Sequence, residues 1–448
     1  LSARDLAEEG IARHQKWGKI LGAYKTWDAT LTRSQAEASD KAFKQNKDLG
    51  PTQGILISVK DIYGVEGYPI FAGSPKPLPT EWEQDGPLVM TIKDQLAVIT
   101  GKTHTVEFAF GGLGSNPHWE TPRNPWDGKN HRVPGGSSSG AGVSLIEGSA
   151  LIAFGTDTGG SVRVPASMTG NVGLKTTKSR WSTDLITVLS TSFDTPGILA
   201  KSVEDISFGF SAIDPIAKAN RSMMIEPRPL SGLRIGITKD YFWERCIDDV
   251  GEIVENTIAE LTLAGAKTSP MDAPEAGTAV RVWGEGSIVA SEGYAFLQNN
   301  LPSWIETLDP NVLSRMEVAK EAKTLDYHTA LHNISELSSS FQSKLEDVDV
   351  LAVPTVPITP PKVADIVDPE VYKKNNLSAL SNTMPGNVLG ICALTLPVGL
   401  DKTGMPVGLQ LITLPHREEA LISIALGIEN LIGKPRERLG SPPLGASL

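Results

Sequence analysis

The sequence predicts an α/β fold, with a single large domain over residues 1–448 built on a mixed, mostly parallel β-sheet that helices cover on both faces. Three observations support this prediction. The length of 448 residues and a hydrophobic fraction of 40% suffice for one large core. Short apolar runs that resemble buried strands alternate with longer segments of helical periodicity. Such alternation is typical of βαβ units, whose crossover helices cover the faces of a sheet.

The elements fall into four regions along the chain. N-terminal helices occupy residues 1–50, and a core of alternating strands and helices follows at about 51–200. A more variable helical region spans about 205–390, and strands with a final helix occupy 391–433. The apolar run at 55–59 predicts a buried strand, and residues 139–148 predict a helix that the next strand follows at 150–154. No internal repeat interrupts this order, so we expect one domain.

Charge and cysteine content exclude several classes of function. The formal net charge of −11 disfavours nucleic acid and anionic membrane surfaces as partners. The two cysteines, Cys246 and Cys392, are far apart in sequence, which predicts neither a disulfide framework nor a thiolate metal site. We therefore expect a cytoplasmic protein, and a homodimer is left open as its assembly. Because the chain opens with Leu1, residues preceding it are also left open.

Two Gly/Ser-rich loops stand out from the rest of the sequence. The first is Pro-Gly-Gly-Ser-Ser-Ser-Gly-Ala-Gly at 134–142, and the second runs from Gly155 to Ser167. Glycines let main-chain N–H groups approach a ligand closely, which favours an anion cradle or an oxyanion hole. A phosphate-binding loop is excluded, since Leu96 stands where the Gly-x4-Gly-Lys-Thr pattern needs its first glycine. A nucleophile elbow at Gly136–Gly140 is disfavoured because polar, proline-punctuated sequence precedes it instead of a strand.

Together the two loops resemble the signature of the amidase signature family, the Ser/cis-Ser/Lys amide hydrolases. Ser137 lies 24 residues before Ser161 of Gly-Thr-Asp-Thr-Gly-Gly-Ser-Val-Arg, as in that family, and Val-Lys-Asp at 59–61 supplies the upstream element. Pro-Val-Gly-Leu-Gln-Leu-Ile at 406–412 extends the likeness towards the end of the chain. Nearly the whole chain is thus covered by the resemblance.

The resemblance implies a role for each residue of the catalytic machinery. Ser161 is the expected nucleophile, Ser137 relays protons next to a cis peptide bond with Gly136, and Lys60 is the base. A lysine can accept a proton only when neutral, so burial has to lower its pKa from about 10.4. Main-chain N–H groups are expected to hold the oxyanion, from Thr158, Gly159, Gly160 and Ser161.

Further residues are expected to support the machinery or to line the substrate pocket. The supporting residues implied are Ser138, Asp157 and Arg163, and the candidate pocket residues are His131, Gly136, Trp181 and Phe193. His328 and His332 have a spacing that could bind a metal, but no third ligand is evident and a solvated helix face is favoured. We therefore predict neither a metal nor a cofactor.

The function expected from the resemblance is hydrolysis of a small-molecule amide to a carboxylate and ammonia or an amine. One alternative is the glutaminase-type subunit of a tRNA-dependent amidotransferase, which shares the triad and passes ammonia to a partner protein. A second alternative is a non-catalytic binding module on the same fold. Retention of both Lys60 and Ser161 disfavours the second alternative.

Overall fold

One mixed sheet runs through the described residues, 1–219 and 224–445 of this computed structural model. Its strands in chain order are β1 (Tyr24–Trp27), β2 (Leu56–Lys60), β3 (Val98–Thr103), β4 (Ile152–Asp157), β5 (Val172–Lys175), β6 (Thr195–Ala200), β7 (Arg234–Ile237), β8 (Lys267–Pro270), β9 (Val350–Pro354), β10 (Cys392–Leu400) and β11 (Pro406–Thr413). Across the sheet their order is β1-β3-β2-β4-β6-β5-β10-β11-β9-β7-β8. Strands from both ends of the chain therefore meet in one layer.

Helices flank this sheet and fill the segments between its strands. They are α1 (Ala3–Leu21), α2 (Ala29–Lys44), α3 (Pro87–Asp94), α4 (Ser139–Glu147), α5 (Arg163–Thr169), α6 (Val203–Ile213), α7 (Pro215–Ala219), α8 (Asp248–Leu263), α9 (Pro274–Glu285), α10 (Ile288–Asn300), α11 (Pro310–Met316), α12 (Thr324–Leu345), α13 (Pro369–Leu380), α14 (Met384–Val388), α15 (Glu418–Ile432) and α16 (Pro435–Leu439). Among these described helices, none combines the length and the apolar character needed to cross a bilayer.

The α/β class and the mixed sheet are confirmed, but the expectation of mostly parallel strands is wrong. Of the ten strand pairings in the described residues, six are antiparallel. The turn at 401–405 joins β10 to β11, and a connection this short returns the chain antiparallel without a crossover helix. β5 and β6 likewise pair antiparallel with each other.

A strand interrupts the N-terminal segment that the sequence predicts to be helical. Helix α1 begins at the capping box of Ser2 and Asp5 and ends where Gly22 takes φ +66°, a conformation that favours glycine. β1 follows at once and pairs antiparallel with β3. The segment expected to be helical therefore contains two helices with a strand between them, because Gly22 ends α1 before β1 begins.

The parallel pairing of β2 with β4 brings the two halves of the site together. Ile57 lies opposite Ile152 and Val59 opposite Phe154 in this pairing. All residues of both strands are buried, as expected where helices cover both faces. The carboxyl ends of the two strands thus meet at one edge, and Lys60 closes the first of them.

Candidate active site

Lys60 is the side chain around which the site is built. It is fully buried at the carboxyl end of β2, and its Nζ donates to Ser137 Oγ at 2.7 Å and to Thr156 Oγ1 at 2.9 Å. Burial lowers the pKa of Lys60 to about 7, although the negative charges of Asp194 and Asp157 act in the opposite direction. A large share of this amine is therefore neutral near pH 7 and able to accept a proton.

The neighbouring carboxylate, Asp61, does not pair with this amine. On a strand, consecutive side chains point to opposite faces, and Asp61 instead faces Lys102, whose Nζ lies 3.2 Å from Asp61 Oδ1. Asp61 Oδ2 also accepts the main-chain N–H of Phe71 at 3.0 Å. Among the residues that the structure describes, no carboxylate therefore bonds directly to Lys60 and holds it protonated.

Ser137 links the lysine to the first Gly/Ser loop. The peptide bond between Gly136 and Ser137 is cis, as expected from the resemblance. A Cβ built on Gly136 would lie 2.6 Å from Gly114 N and 3.1 Å from Gly111 O, so glycine is needed there for packing against another main chain. The expected role of Gly136 as a pocket residue stays a prediction.

The second loop carries Ser161 between β4 and α5. Ser161 O accepts the main-chain N–H of Ser138 at 3.2 Å, which joins the two loops directly. Within the described part of the chain, Ser161 Oγ has no hydrogen-bond partner, and no hydrogen bond connects it to Ser137 Oγ. The two serines therefore lie in loops that are hydrogen-bonded to each other, and the Ser161 hydroxyl remains free to react.

The main-chain N–H groups expected to form the oxyanion hole differ in their bonding. Gly160 N–H donates to Asp157 Oδ1 at 2.8 Å, so this donor is already occupied. Over residues 1–219 and 224–445, the N–H groups of Thr158, Gly159 and Ser161 have no acceptor. Gly160 has φ +138°, and a Cβ on it would lie 2.0 Å from Thr383 Oγ1. Glycine is therefore required there by Thr383 and by the backbone, and three N–H groups are left for an oxyanion.

A buried polar network holds this second loop in place. Asp157 and Arg163 form an ion pair at 2.8 Å, and the Arg163 guanidinium also donates to Gln410 Oε1 and Asn387 Oδ1. Burial alone would raise the pKa of Asp157, but Arg163, the charge of Lys175 and the N–H of Val162 together lower the pKa to about 2. Ser138 Oγ donates to Thr156 O at 3.3 Å. Each of the three expected supporting residues thus contacts the loops without reaching the Ser161 hydroxyl.

Three further expected pocket residues make surface or core contacts, and their pocket role stays a prediction. His131 is exposed and donates to Thr121 O at 2.9 Å, while Trp181 is buried and donates through Nε1 to Asp214 Oδ2. Phe193 is buried in the main hydrophobic core. These side chains are satisfied by surface or core contacts, which sequence patterns do not distinguish from a pocket wall.

Sequence reasoning missed two contacts that shape the site. Thr156 supplies the second acceptor for Lys60, and Asp194 Oδ1 accepts from Thr158 Oγ1 at 2.6 Å. The alternation of β4 could have identified Thr156, since it places that side chain on the face opposite Asp157. Asp194 lies in a loop before β6, and nothing local in the sequence indicates that it reaches Thr158.

The residues of a candidate metal site do not converge. His328 and His332 are both exposed on α12, and His332 Nε2 lies 3.6 Å from Glu336 on the same helix. The described ranges contain no group of three or more His, Cys, Asp or Glu side chains arranged to bind a metal. The expectation that no metal takes part in the reaction stays a prediction.

Comparison with known sequences places the chain among amide hydrolases. A sequence model of the Amidase family matches residues 5–422. A 2-amino-5-chloromuconic acid deaminase of Comamonas testosteroni is 47% identical over 446 residues, which cover 99% of this chain and 96% of that protein. A glutamyl-tRNA(Gln) amidotransferase subunit of Moorella thermoacetica is 30% identical over 458 residues, covering 95% of this chain and 92% of that one.

Solved structures agree with this placement. A crystal structure of an amidase superposes with a TM-score of 0.86 at 26% identity and covers 97% of each chain. The structure of 6-aminohexanoate cyclic dimer hydrolase with its substrate has a TM-score of 0.85 at 22% identity, over 98% of this chain and 96% of the other. The second likeness shows the fold alone, whereas the family match and the identities show descent. The chain belongs to the amidase family and is a hydrolase of carbon–nitrogen bonds that cleaves amides.

Proposed function

We propose that the chain hydrolyses a small-molecule amide through an acyl-enzyme on Ser161, with Lys60 as base and Ser137 as proton relay. The observation that supports this most directly is the 2.7 Å hydrogen bond from the buried Lys60 amine to Ser137 Oγ. A serine hydroxyl is a weak nucleophile until a base takes its proton. Lys60 has the burial and the lowered pKa that such a base requires.

The reaction follows from these groups in two halves. Ser161 Oγ bonds to the amide carbonyl carbon while its proton passes to Ser137, whose own proton passes to Lys60. When the tetrahedral intermediate collapses, the C–N bond breaks, and the proton returns through Ser137 to the departing nitrogen. Water then gives a proton to the same relay and attacks the acyl carbon, which releases the carboxylate and restores the Ser161 hydroxyl.

The oxyanion of both intermediates needs donors that are already in place. We assign this role to the N–H groups of Thr158, Gly159 and Ser161, because Gly160 N–H is bonded to Asp157. Loss of one such donor typically costs about 100-fold to 1,000-fold in rate. The ion pair of Asp157 with Arg163 orients this loop and has no direct part in the chemistry.

Variants of the two outer residues of the triad test this proposal. Ser161→Ala and Lys60→Met should each reduce turnover of small aliphatic, aryl and dicarboxylic amides by several orders of magnitude, measured as released ammonia, with an unchanged circular dichroism spectrum. Ser335→Ala, at an exposed serine of α12, is the matched control and should retain full turnover. If Ser161→Ala hydrolysed these amides at the rate of the parent enzyme, Ser161 could not be the nucleophile.

A second candidate reaction comes from one relative. That protein is named a 2-amino-5-chloromuconic acid deaminase, and 47% identity over almost the full length of both chains favours a related substrate, an unsaturated carboxylic acid that bears an amino group. Both deamination and the hydrolysis of a primary amide release ammonia. Parallel assays on a 2-aminomuconic acid and on saturated primary amides would separate the two reactions.

The role of an amidotransferase component is the weaker alternative. Relatives with that name are 28% to 30% identical, well below the 47% of the deaminase. A free-standing hydrolase should turn over amides without any partner protein. If the purified chain hydrolysed only glutamine, and only with a partner present, the amidotransferase role would be favoured.

The expected setting of the protein also remains a proposal. We infer that no nucleic acid or membrane takes part, which the net charge of −11 supports. Cys246 and Cys392 are free thiols, as expected for a cytoplasmic protein. A homodimer is the assembly to test first, by sedimentation over a range of protein concentrations.

A further inference from the structure

We propose that the substrate carries a carboxylate group, and that Arg315 binds this carboxylate in a cavity beside the catalytic loops. This inference rests on the proposed function and adds to it the substrate class. It assigns a specificity role to the helical region between 280 and 390, in which the sequence shows no motif.

The cavity adjoins both loops of the candidate active site. It has a volume of about 320 Å³, and Gly111 and Met384 are part of its lining. Gly111 O lies 3.1 Å from the Cβ position of Gly136, directly before Ser137, and Met384 Cγ lies 3.3 Å from that of Gly159. The cavity wall therefore packs directly against both catalytic loops.

The walls of the cavity suit an apolar molecule with a negatively charged end. Most of the lining is apolar, and its larger side chains are Phe110, Trp283, Ile288, Val289, Leu377 and Leu380. The charged lining residues are Arg315 and Lys373, and no Asp or Glu of the described ranges lines the cavity. Two cations in an apolar wall without a carboxylate favour an anionic ligand group.

Arg315 is held so that part of its guanidinium remains available. Its Nε donates to Asn311 O at 2.8 Å and its Nη2 donates to Phe110 O. The guanidinium also lies over the rings of Phe110 and Tyr372, with its carbon 4.6 Å and 5.7 Å from the ring centroids. In the described part of the chain, Nη1 has no acceptor. An arginine fixed in this way retains a donor for a carboxylate at little further entropic cost.

Lys373 supplies the second positive charge of the lining. Lys373 is exposed at the rim, where it attracts an anion over a longer range.

The purely structural alternative is that Arg315 only ties α11 to the carbonyl of Phe110. That role involves Nε and Nη2 and requires neither an anionic ligand nor the remaining nitrogen. Loss of such a tie would change the turnover of all amides equally. Loss of a carboxylate site would instead affect only the amides that carry a carboxylate.

The kinetic test compares adipamic acid with hexanamide, two primary amides of equal chain length that differ in a terminal carboxylate. We expect kcat/KM of the parent enzyme to favour adipamic acid about 10- to 100-fold, as for hydrogen bonds to a charged group, and Arg315→Met to bring this ratio close to one. Arg281→Met removes an exposed arginine from α9 and should leave the ratio unchanged. Equal turnover of the two amides by the parent enzyme overturns the inference while leaving the proposed function intact.

A binding measurement decides the question without turnover. Calorimetry with adipate on the Ser161→Ala protein should show binding that Arg315→Met weakens about tenfold or more and Arg315→Lys weakens less. Thermal melts check that each variant is folded, and Lys373→Met, at an exposed position, removes the second cation of the cavity without disturbing the core. Undetectable adipate binding to the folded Ser161→Ala protein also overturns the inference. If the parent enzyme hydrolysed none of the amides, by contrast, that result would count against the proposed function.

Discussion

At the scale of single residues, the chemistry depends on the electrostatic surroundings of one buried amine. Burial lowers the pKa of Lys60 to about 7, and Asp194 is the first of two carboxylates whose charge opposes this shift. Asp194 is itself buried and accepts from Thr158 Oγ1 and from the N–H groups of Leu189 and Ser190. Asp194 therefore contacts the loop that carries Ser161 and also influences the pKa of Lys60.

Replacing Asp194 separates these two contributions. In Asp194→Asn the side-chain oxygen can still accept from Thr158, but the negative charge that favours protonated Lys60 is gone. The pKa of Lys60 should fall further, so the acid limb of kcat/KM against pH should move to lower pH. Thr158→Val is the matched variant, since it removes the hydrogen bond and keeps the charge, and its acid limb should stay in place. If the acid limb moved only in Thr158→Val, the hydrogen bond and the loop geometry, and not the charge of Asp194, would control the pKa of Lys60.

The resemblance to the amidase signature family implies that Lys60 and Ser137 lie together, as their hydrogen bond shows, whereas the sequence does not determine which side chains line the pocket. The spacing of 24 residues between Ser137 and Ser161, and Lys60 at a strand end, depend on local sequence. Trp181 and Arg315 depend on which helix packs against which loop. The sequence therefore assigns Trp181 to the pocket, but the structure places it on Asp214 in the core.

At the scale of elements, β4, α5 and β11 are tied together by one buried ion pair. Asp157 ends β4, Arg163 begins α5, and Gln410 of β11 accepts from the guanidinium at 2.6 Å. Both charges are fully buried. Burying two charges away from water costs free energy, and their mutual attraction offsets this cost only while both partners are present and hydrogen-bonded.

Asp157→Asn should destabilise the fold more than a surface substitution does. Removing one charge leaves the Arg163 guanidinium buried without its counter-ion, at a cost of about 3–5 kcal/mol in the free energy of unfolding. Urea denaturation followed by circular dichroism measures this change. Glu285→Gln, which breaks an exposed pair with Arg281, should cost less than about 1 kcal/mol. An equal loss in the free energy of unfolding in the two variants would show that the buried ion pair stabilises the fold no more than the exposed one.

Strands were predictable where an apolar run has clear boundaries. The run at 55–59 predicts β2 to within one residue, and the helix expected at 139–148 corresponds to α4 (Ser139–Glu147). β6 begins with Thr-Pro-Gly at 195–197, which is typical of a turn. It forms a strand because it pairs with β4 and β5 on its two sides, and this pairing is tertiary and not local.

At the scale of the whole molecule, the sheet order joins distant parts of the chain. β10 and β11 lie between β5 of the first half and β9 of the second half. Gln410 on β11 also completes the network around Arg163. The candidate active site therefore requires strands that are separated by more than 200 residues in sequence.

This connectivity predicts that the signature core does not fold on its own. A chain of residues 1–390, which lacks β10, β11 and α15, should show no cooperative unfolding transition, because β5 would lose a pairing strand and Arg163 an acceptor. Differential scanning calorimetry of the truncated chain and of the full chain provides the comparison. A cooperative transition in the truncated chain would instead support two independent domains.

The central claim is that a neutral Lys60 activates Ser161 through Ser137. Its most direct measurement is the rate at which a fluorophosphonate labels the protein between pH 5 and 10, with the labelled residue located by mass spectrometry, because this rate requires no knowledge of the substrate. We expect the label on Ser161, a rate that rises through pH of about 7 as Lys60 loses its proton, and loss of that rise in Lys60→Met. Labelling at another residue, or a rate that Lys60→Met leaves unchanged across this range, would contradict the account.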